Sequence, residues 1–390
     1  MLGVIFITRS SMGFMFQSVA SVAPLMVQEF RLTYGQIGVL MGLFLFPGTL
    51  IALPGGALGR RFSSQRIALT GLALMVLGAL VIARSESFPM ACLGRLLSGT
   101  GGIFLNLFLA KMVADWFTGK EIATAMGVML TSWPVGIGLA LVTLGRLASA
   151  SSWRLGMLIT AAVAAIAFVL LAALYRDPAG LARRARGPDR ITLAMPGREW
   201  ALSLAAGVAW ALFNAGFIVL VSFGPAFLVT RGASIGQAGF LVSLGIWTSI
   251  VSVPAGGLLA DRLGKPNLVI TAGCLVTAVF IVLVAVLPGP ALWLVLAGLA
   301  VGAAPGALMA LLPRALAPQH VSTGLGVLYS VFYLVTAFAQ PLAGLARDLS
   351  GSAAMPVFFA AAVTAMTTVA LPVFDRLVRG RSAAPAVMPS

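Results

Sequence analysis

The stretch Gly257–Asn267 reads GLLADRLGKPN, and 201 residues earlier Gly56–Arg66 reads GALGRRFSSQR. Gly56 pairs with Gly257, Leu58 with Leu259 and Arg61 with Arg262, and the same register pairs Gln36 with Gln237 and Gly38 with Gly239. One ungapped register therefore covers a whole apolar segment and the charged loop after it. A second pair, TAMGV from Thr124 and TGLGV from Thr323, opens an apolar segment just after a basic loop in each half. Such a duplication builds two similar bundles that face each other across a shared centre.

Composition says what solvent those bundles live in. The chain of 390 residues is 60% hydrophobic and 9% charged, with a mean hydropathy of +1.05, whereas soluble domains carry about 25% charged residues. Its apolar runs reach about 20 residues or more, the length that crosses a hydrocarbon core of about 30 Å as a helix. Twelve spans are expected, at 3–28, 36–58, 66–84, 88–114, 122–145, 153–174, 200–229, 235–259, 267–287, 290–312, 323–346 and 353–374. The fold class is an all-α membrane protein with twelve transmembrane helices in two pseudo-symmetric six-helix bundles. The expected domains are an N-terminal bundle over 1–174, a linker over 175–199, a C-terminal bundle over 200–375 and a tail over 376–390. The linker holds Pro178, Pro188, Pro196 and six arginines, the composition of an exposed connection.

The charge pattern orients the array. Of 25 Lys and Arg residues, sixteen fall in one set of alternate loops, six in the other and three inside spans. This is the positive-inside bias, so both termini and the linker are expected in the cytoplasm of a multi-pass inner-membrane protein. The net charge of +15 would suggest nucleic acid in a soluble chain, but no contiguous basic face on a soluble module is present to bind it. The expected partners are the lipid bilayer and a small-molecule substrate, with no nucleic acid, and the chain is expected to act as a monomer. SVASVA in the first span resembles a signal-peptide cleavage site, yet Arg9 lies inside the apolar run rather than ahead of it, so the span is read as retained. Cys92 and Cys274 lie in or at the ends of spans and are read as small packing residues. Phosphate-binding loops, metal-spaced Cys/His clusters and catalytic triads are not found, so neither a cofactor nor an enzymatic activity is expected.

Gly257 to Lys265 resembles the loop signature of the major facilitator superfamily, G-x-L-x-D-R-x-G-[RK]. Gly94-Arg95 followed by Gly99 and Gly101 resembles the family's arginine motif in span four, and Ser152-Trp153-Arg154 stands before span six as in the family. More narrowly, GFMFQSVASVAP from Gly13, ADWFTGKEIATAMG from Ala114 and SWPVGIG from Ser132 resemble the bacterial cyanate and nitroimidazole transporter branch. The resemblance implies secondary transport by alternating access, a cavity lined by spans one, four, seven and ten, and a gating loop at Gly257, Asp261, Arg262 and Gly264. In the family that Asp faces a helix N-terminus of the other half, whose partial positive charge favours it by about 0.3–1 kcal/mol. The earlier copy carries Arg60 and Arg61 and has Ser63 in place of the glycine. Two readings stand: drift in a solvated loop, or a molecule with one such latch instead of two. Trp133-Pro134-Val135-Gly136 matches only part of the family's antiporter motif and is read as a proline-kinked packing helix.

Polar residues inside spans form stripes at helical spacing. They are Arg95, Gly99, Gly102 and Asn106 in span four; Trp210, Asn214 and Phe217 in span seven; Tyr329, Tyr333, Thr336 and Gln340 in span eleven; and Ser10, Gln17, Ser21 and Pro24 in span one. Such stripes face a cavity or glue helices together. Arg95 lies about 9 Å inside its span at 1.5 Å per residue, and is read either as an anion ligand or as a structural donor to backbone carbonyls. Arg9 and Lys111 lie near span ends, where long side chains reach back to the interface. The ten acids all fall in loops or at span ends, and His320 lies in a loop. The expected substrate-binding residues are Arg95, Gln17, Asn106, Asn214, Trp210, Tyr329, Tyr333, Gln340 and Arg9. The expected function is secondary active transport of a small anionic or polar organic solute. The alternatives are multidrug efflux of hydrophobic compounds and, in another class, a transporter-like receptor or channel.

Overall fold

A computed structural model describes residues 1–53, 62–117, 121–176 and 195–379. The N-terminal half contains α1 (Leu2–Phe30), α2 (Tyr34–Ile51), α3 (Ser64–Ala83), α4 (Phe88–Trp116), α5 (Ile122–Ala150) and α6 (Trp153–Leu174). The C-terminal half contains α7 (Gly197–Thr230), α8 (Ile235–Leu263), α9 (Pro266–Val286), α10 (Pro290–Ala300), α11 (Pro305–Ala315), α12 (Val321–Ser350) and α13 (Met355–Arg379). Among the described residues, twelve helical spans are long and apolar enough to cross a membrane, α10 and α11 together forming the tenth. Pro305, which cannot donate a backbone hydrogen bond, starts α11 after a single 3₁₀ turn at Val301–Ala303, and this breaks the span. Helix α7 starts three residues before the expected span, and α13 runs five residues beyond its own. Residues 177–194 of the expected linker, 380–390 of the expected tail, and Arg60 and Arg61 of the expected gating loop lie outside the described residues.

The duplication seen in the sequence reappears as two equivalent seams between the halves, α2 against α12 and α5 against α8. A Cβ on Gly38 would strike the Gln340 carbonyl and lie 2.6 Å from Pro341 Cα; its repeat mate Gly239 meets the Leu141 carbonyl in the same way. Gly344 of α12 sits on the Tyr34–Gly35 peptide, and Gly145 of α5 on Ile235. Lipid tails are as apolar as leucine, so the hydrophobic effect does not drive these helices together. Small residues instead let the backbones approach closely.

Capping closes the loops at the Arg-poor end of the molecule. Thr33 with Gln36 and Ser234 with Gln237 form matching capping boxes at the starts of α2 and α8. Glu29 of α1 pairs with Arg154 and accepts from Trp153 Nε1 at 2.5 Å, which explains the Ser-Trp-Arg sequence ahead of α6. At the Arg-rich end, Glu199 of α7 meets His320 at 2.6 Å. Gly264 takes φ +60° to end α8, a left-handed turn that glycine adopts without strain.

Candidate functional site

The site is built where prolines leave backbone carbonyls free inside helices. Pro134 of α5 has no N–H for the carbonyl four residues earlier, at Leu130. Arg9 of α1 takes up that acceptor: Nη1 donates to the Leu130 carbonyl at 3.2 Å and to the Met129 carbonyl at 3.1 Å. Pro225 of α7 likewise frees the Val221 carbonyl, which accepts from Gln17 Nε2 at 3.1 Å. Two side chains of α1, two turns apart, thus satisfy one proline break in each half.

Arg9 is 7% exposed, so it does not reach back to the interface as its position near a span end suggested. Its Nη2 donates to Asn106 Oδ1 at 3.1 Å, and Asn106 Nδ2 donates to Tyr333 Oη at 2.9 Å. The chain Arg9–Asn106–Tyr333 therefore crosses from the N-terminal half to the C-terminal half through α1, α4 and α12. Tyr329, one turn before Tyr333, also lies within electrostatic range of the guanidinium. All of Arg9's hydrogen-bond partners are neutral, and its buried Nε has none. Phe332 packs against Tyr333 with centroids 4.9 Å apart, against Tyr329 at 6.3 Å and against Trp210 at 6.4 Å, which makes an aromatic wall on the C-terminal side.

Arg95 has a different setting. It is fully buried, and each of its three nitrogens donates to a backbone carbonyl: Nε to Leu40 at 2.9 Å, Nη1 to Met15 at 3.1 Å and Nη2 to Phe16 at 3.1 Å. Its guanidinium also covers the Phe44 ring at 4.8 Å. Gly99 and Gly102 leave no room for a substrate on this face. A Cβ on Gly99 would lie 2.8 Å from Phe44 Cα, and one on Gly102 would lie 2.8 Å from Phe44 Cζ, so Phe44 fills the space. Sequence reasoning missed Phe44 because a phenylalanine in an apolar run carries no signal of its own. Gly99→Val is accordingly expected to destabilise the protein by about 1–3 kcal/mol through overpacking, seen as a lower thermal midpoint in detergent. An unchanged midpoint would contradict this packing.

The remaining expected residues fall into three groups. Gln340 is buried with both amide atoms unpaired, and Trp210 Nε1 and Gln17 Oε1 are buried and unpaired as well. Asn214 turns back to the Trp210 carbonyl of its own helix at 2.8 Å. Gly257, Asp261 and Gly264 line a cleft of about 450 Å³ together with Gly306 and Arg314, all from the C-terminal half. Among the described residues Asp261 joins no ion pair, and Arg262 is exposed at the last turn of α8. No group of His, Cys, Asp and Glu suited to a metal ion occurs among the described residues.

Comparison with known proteins agrees with this architecture. The chain is 25% identical over 361 residues to the cyanate transport protein CynX of Escherichia coli, covering 90% of this chain and 91% of that protein. It is 22% identical over 253 residues to the hexuronate transporter of Bacillus subtilis, covering 62% of this chain and 60% of that protein. It is also 25% identical over 303 residues to protein spinster homolog 1 of Bos taurus, where the match covers 68% of this chain and only 56% of that protein. Among solved structures, a bacterial homolog of the human lysosomal transporter spinster, inward-facing and unoccupied, superposes with a TM-score of 0.73 at 18% identity, covering 97% of this chain and 95% of that one. The model of the Major Facilitator Superfamily matches residues 5–340, and the chain, with its twelve spans in two repeated bundles, belongs to that family of membrane transporters.

Proposed function

We propose that the protein is a secondary active transporter of a small anionic or polar organic solute, working by alternating access, with Arg9 rather than Arg95 as the anion-binding cation. The observation that carries this reading is the buried Arg9 guanidinium, held by carbonyls and Asn106 with no carboxylate partner among the described residues and linked across both halves to Tyr333. A cation inside a span is costly, about 2.5–3.5 kcal/mol on insertion scales. Carbonyl dipoles offset part of that cost and leave a net charge that attracts an anion more strongly than water would allow. Tyr329 and Tyr333 supply hydroxyls near it, Phe332 and Trp210 continue the aromatic wall from Tyr333, and Arg95 is assigned to pinning α1 and α2 onto α4. The resemblance to the cyanate transporter branch, and the cyanate and hexuronate named for two relatives, support an anionic cargo. Multidrug efflux of cationic compounds lacks the embedded acid it would call for, since the described acids stand at helix ends.

A thermal-shift screen of purified protein tests the reading, because a ligand that binds the folded state raises its apparent stability by mass action. Cyanate, nitrate, carboxylates and nitroimidazoles are compared with cationic drugs. Stabilisation by an anion is expected; stabilisation by cationic drugs alone would overturn the assignment.

Orientation follows from the basic loops, ten of whose sixteen cytoplasmic charges lie outside the linker and still favour the same side. A cysteine placed at Arg186 is expected to be protected from impermeant reagents in intact cells. Efficient labelling there would reverse the topology.

A further inference from the structure

The α2–α12 seam carries at its Arg-poor end a contact that the α5–α8 seam lacks. The start of α2 is capped twice: Thr33 Oγ1 accepts from Gln36 N, while Tyr34 N donates to Asp348 Oδ1 at 3.0 Å and Gly35 N donates to Asp348 Oδ2 at 2.7 Å. Asp348 lies on the last turn of α12, in the other half of the molecule. The preceding residue, Arg347, places its guanidinium 3.3 Å from the centre of the Tyr34 ring, a second charged contact across the same seam. One carboxylate therefore satisfies two orphan N–H groups at the positive end of a helix dipole, with both oxygens engaged. The register that pairs Thr124 with Thr323 and Gly145 with Gly344 places Ser149 opposite Asp348. Ser149 Oγ turns back to the Gly145 carbonyl of its own helix at 2.7 Å, and the start of α8 has only its own capping box.

We propose that Asp348 is a latch that holds the Arg-poor end of the α2–α12 seam closed and is released when that end opens. Asp261, near the Arg-rich end of α8, has Arg60 as its counterpart in the sequence repeat. The proposal rests on the alternating-access reading for the existence of a second state, and it is independent of what the cargo is.

The test uses the full chain in detergent or nanodiscs without substrate, with Cys92→Ala and Cys274→Ala as background and nitroxide labels at Glu86→Cys and Leu287→Cys. These repeat-related positions lie in Arg-poor loops of opposite halves, and their separation is read by double electron–electron resonance. Asp348→Asn and Asp348→Ala are each expected to raise the long-distance population about tenfold, equivalent to about 1.4 kcal/mol. Adding Ser149→Asp to Asp348→Ala is expected to shift the population back by supplying a carboxylate on the other seam. Gly38→Trp, which wedges a ring against Pro341, serves as the mechanical control that forces this end apart. If the wedge lengthens the distance and both Asp348 variants superpose on wild type, the latch is wrong and the two-state reading stands. If none of the variants moves the distance, the latch and the alternating-access reading fall together.

Discussion

Replacing Arg9 with glutamine is expected to weaken binding of a stabilising anion by roughly tenfold to more than a thousandfold while leaving the protein folded. A hydrogen bond to a charged group is worth about 1.5–3 kcal/mol, and removing one partner of a buried pair costs about 3–5 kcal/mol. At about 1.4 kcal/mol per decade, these figures bracket a loss of roughly tenfold to more than a thousandfold. Glutamine keeps an amide donor that can still serve the Leu130 carbonyl freed by Pro134, so the fold is retained while the charge is lost. Arg9→Lys is expected to recover only part of the affinity, because an ammonium keeps the charge but cannot present the planar fork that bonds Asn106 and an anion together. Tyr333→Phe isolates the far end of the network: it removes only the acceptor of Asn106 Nδ2 and should cost less than Arg9→Gln does. Titration calorimetry on each monodisperse variant measures these steps. Wild-type affinity in Arg9→Gln would remove Arg9 from the site.

Arg95→Ala is expected to show the opposite profile, a large loss of stability. Three carbonyls on α1 and α2 lose their donor at once, and a cavity opens beside Phe44. Each hydrogen bond to a charged group is worth about 1.5–3 kcal/mol, so losing three of them takes a large share of the roughly 5–15 kcal/mol that keeps a domain folded. The expected result is a sharply lower thermal midpoint or a low folded yield. Arg95→Lys keeps the charge but has no fork to span Met15, Phe16 and Leu40, so it is expected to be intermediate in stability. The folded Arg95→Lys fraction should bind the anion within about threefold of wild type, a change of under about 1 kcal/mol. An unchanged midpoint together with lost binding would return the anion to Arg95.

Several features were legible in the residues alone because the bilayer enforces them locally. Backbone polar groups cannot be left unpaired in hydrocarbon, so each long apolar run must be a helix, and counting runs counts spans. The repeat of Gln36, Gly38 and Gly56 at Gln237, Gly239 and Gly257 showed two halves, and Gly38 and Gly239 turned out to lie on equivalent seams. Acids at the ends of spans were equally visible, since a buried carboxylate without a partner is too costly to keep.

The partition of work between the two deep arginines was decided only by the tertiary structure. Arg9 and Arg95 both sit in apolar helices and both are buried, and depth along a helix says nothing about which partners a side chain meets. Arg9's acceptor is a carbonyl freed by Pro134, 125 residues away in sequence, and Arg95's acceptors belong to two other helices. Asp348 read as an ordinary loop-end acid until α12 brought it onto the N–H groups of Tyr34 and Gly35, more than 300 residues earlier. Composition and periodicity determined which segments cross the membrane and how they repeat, since those properties depend on each segment's own free energy of transfer. The role of each buried polar group depends on which orphan donor or acceptor packing brings within 3 Å, and that is a property of the assembled helices.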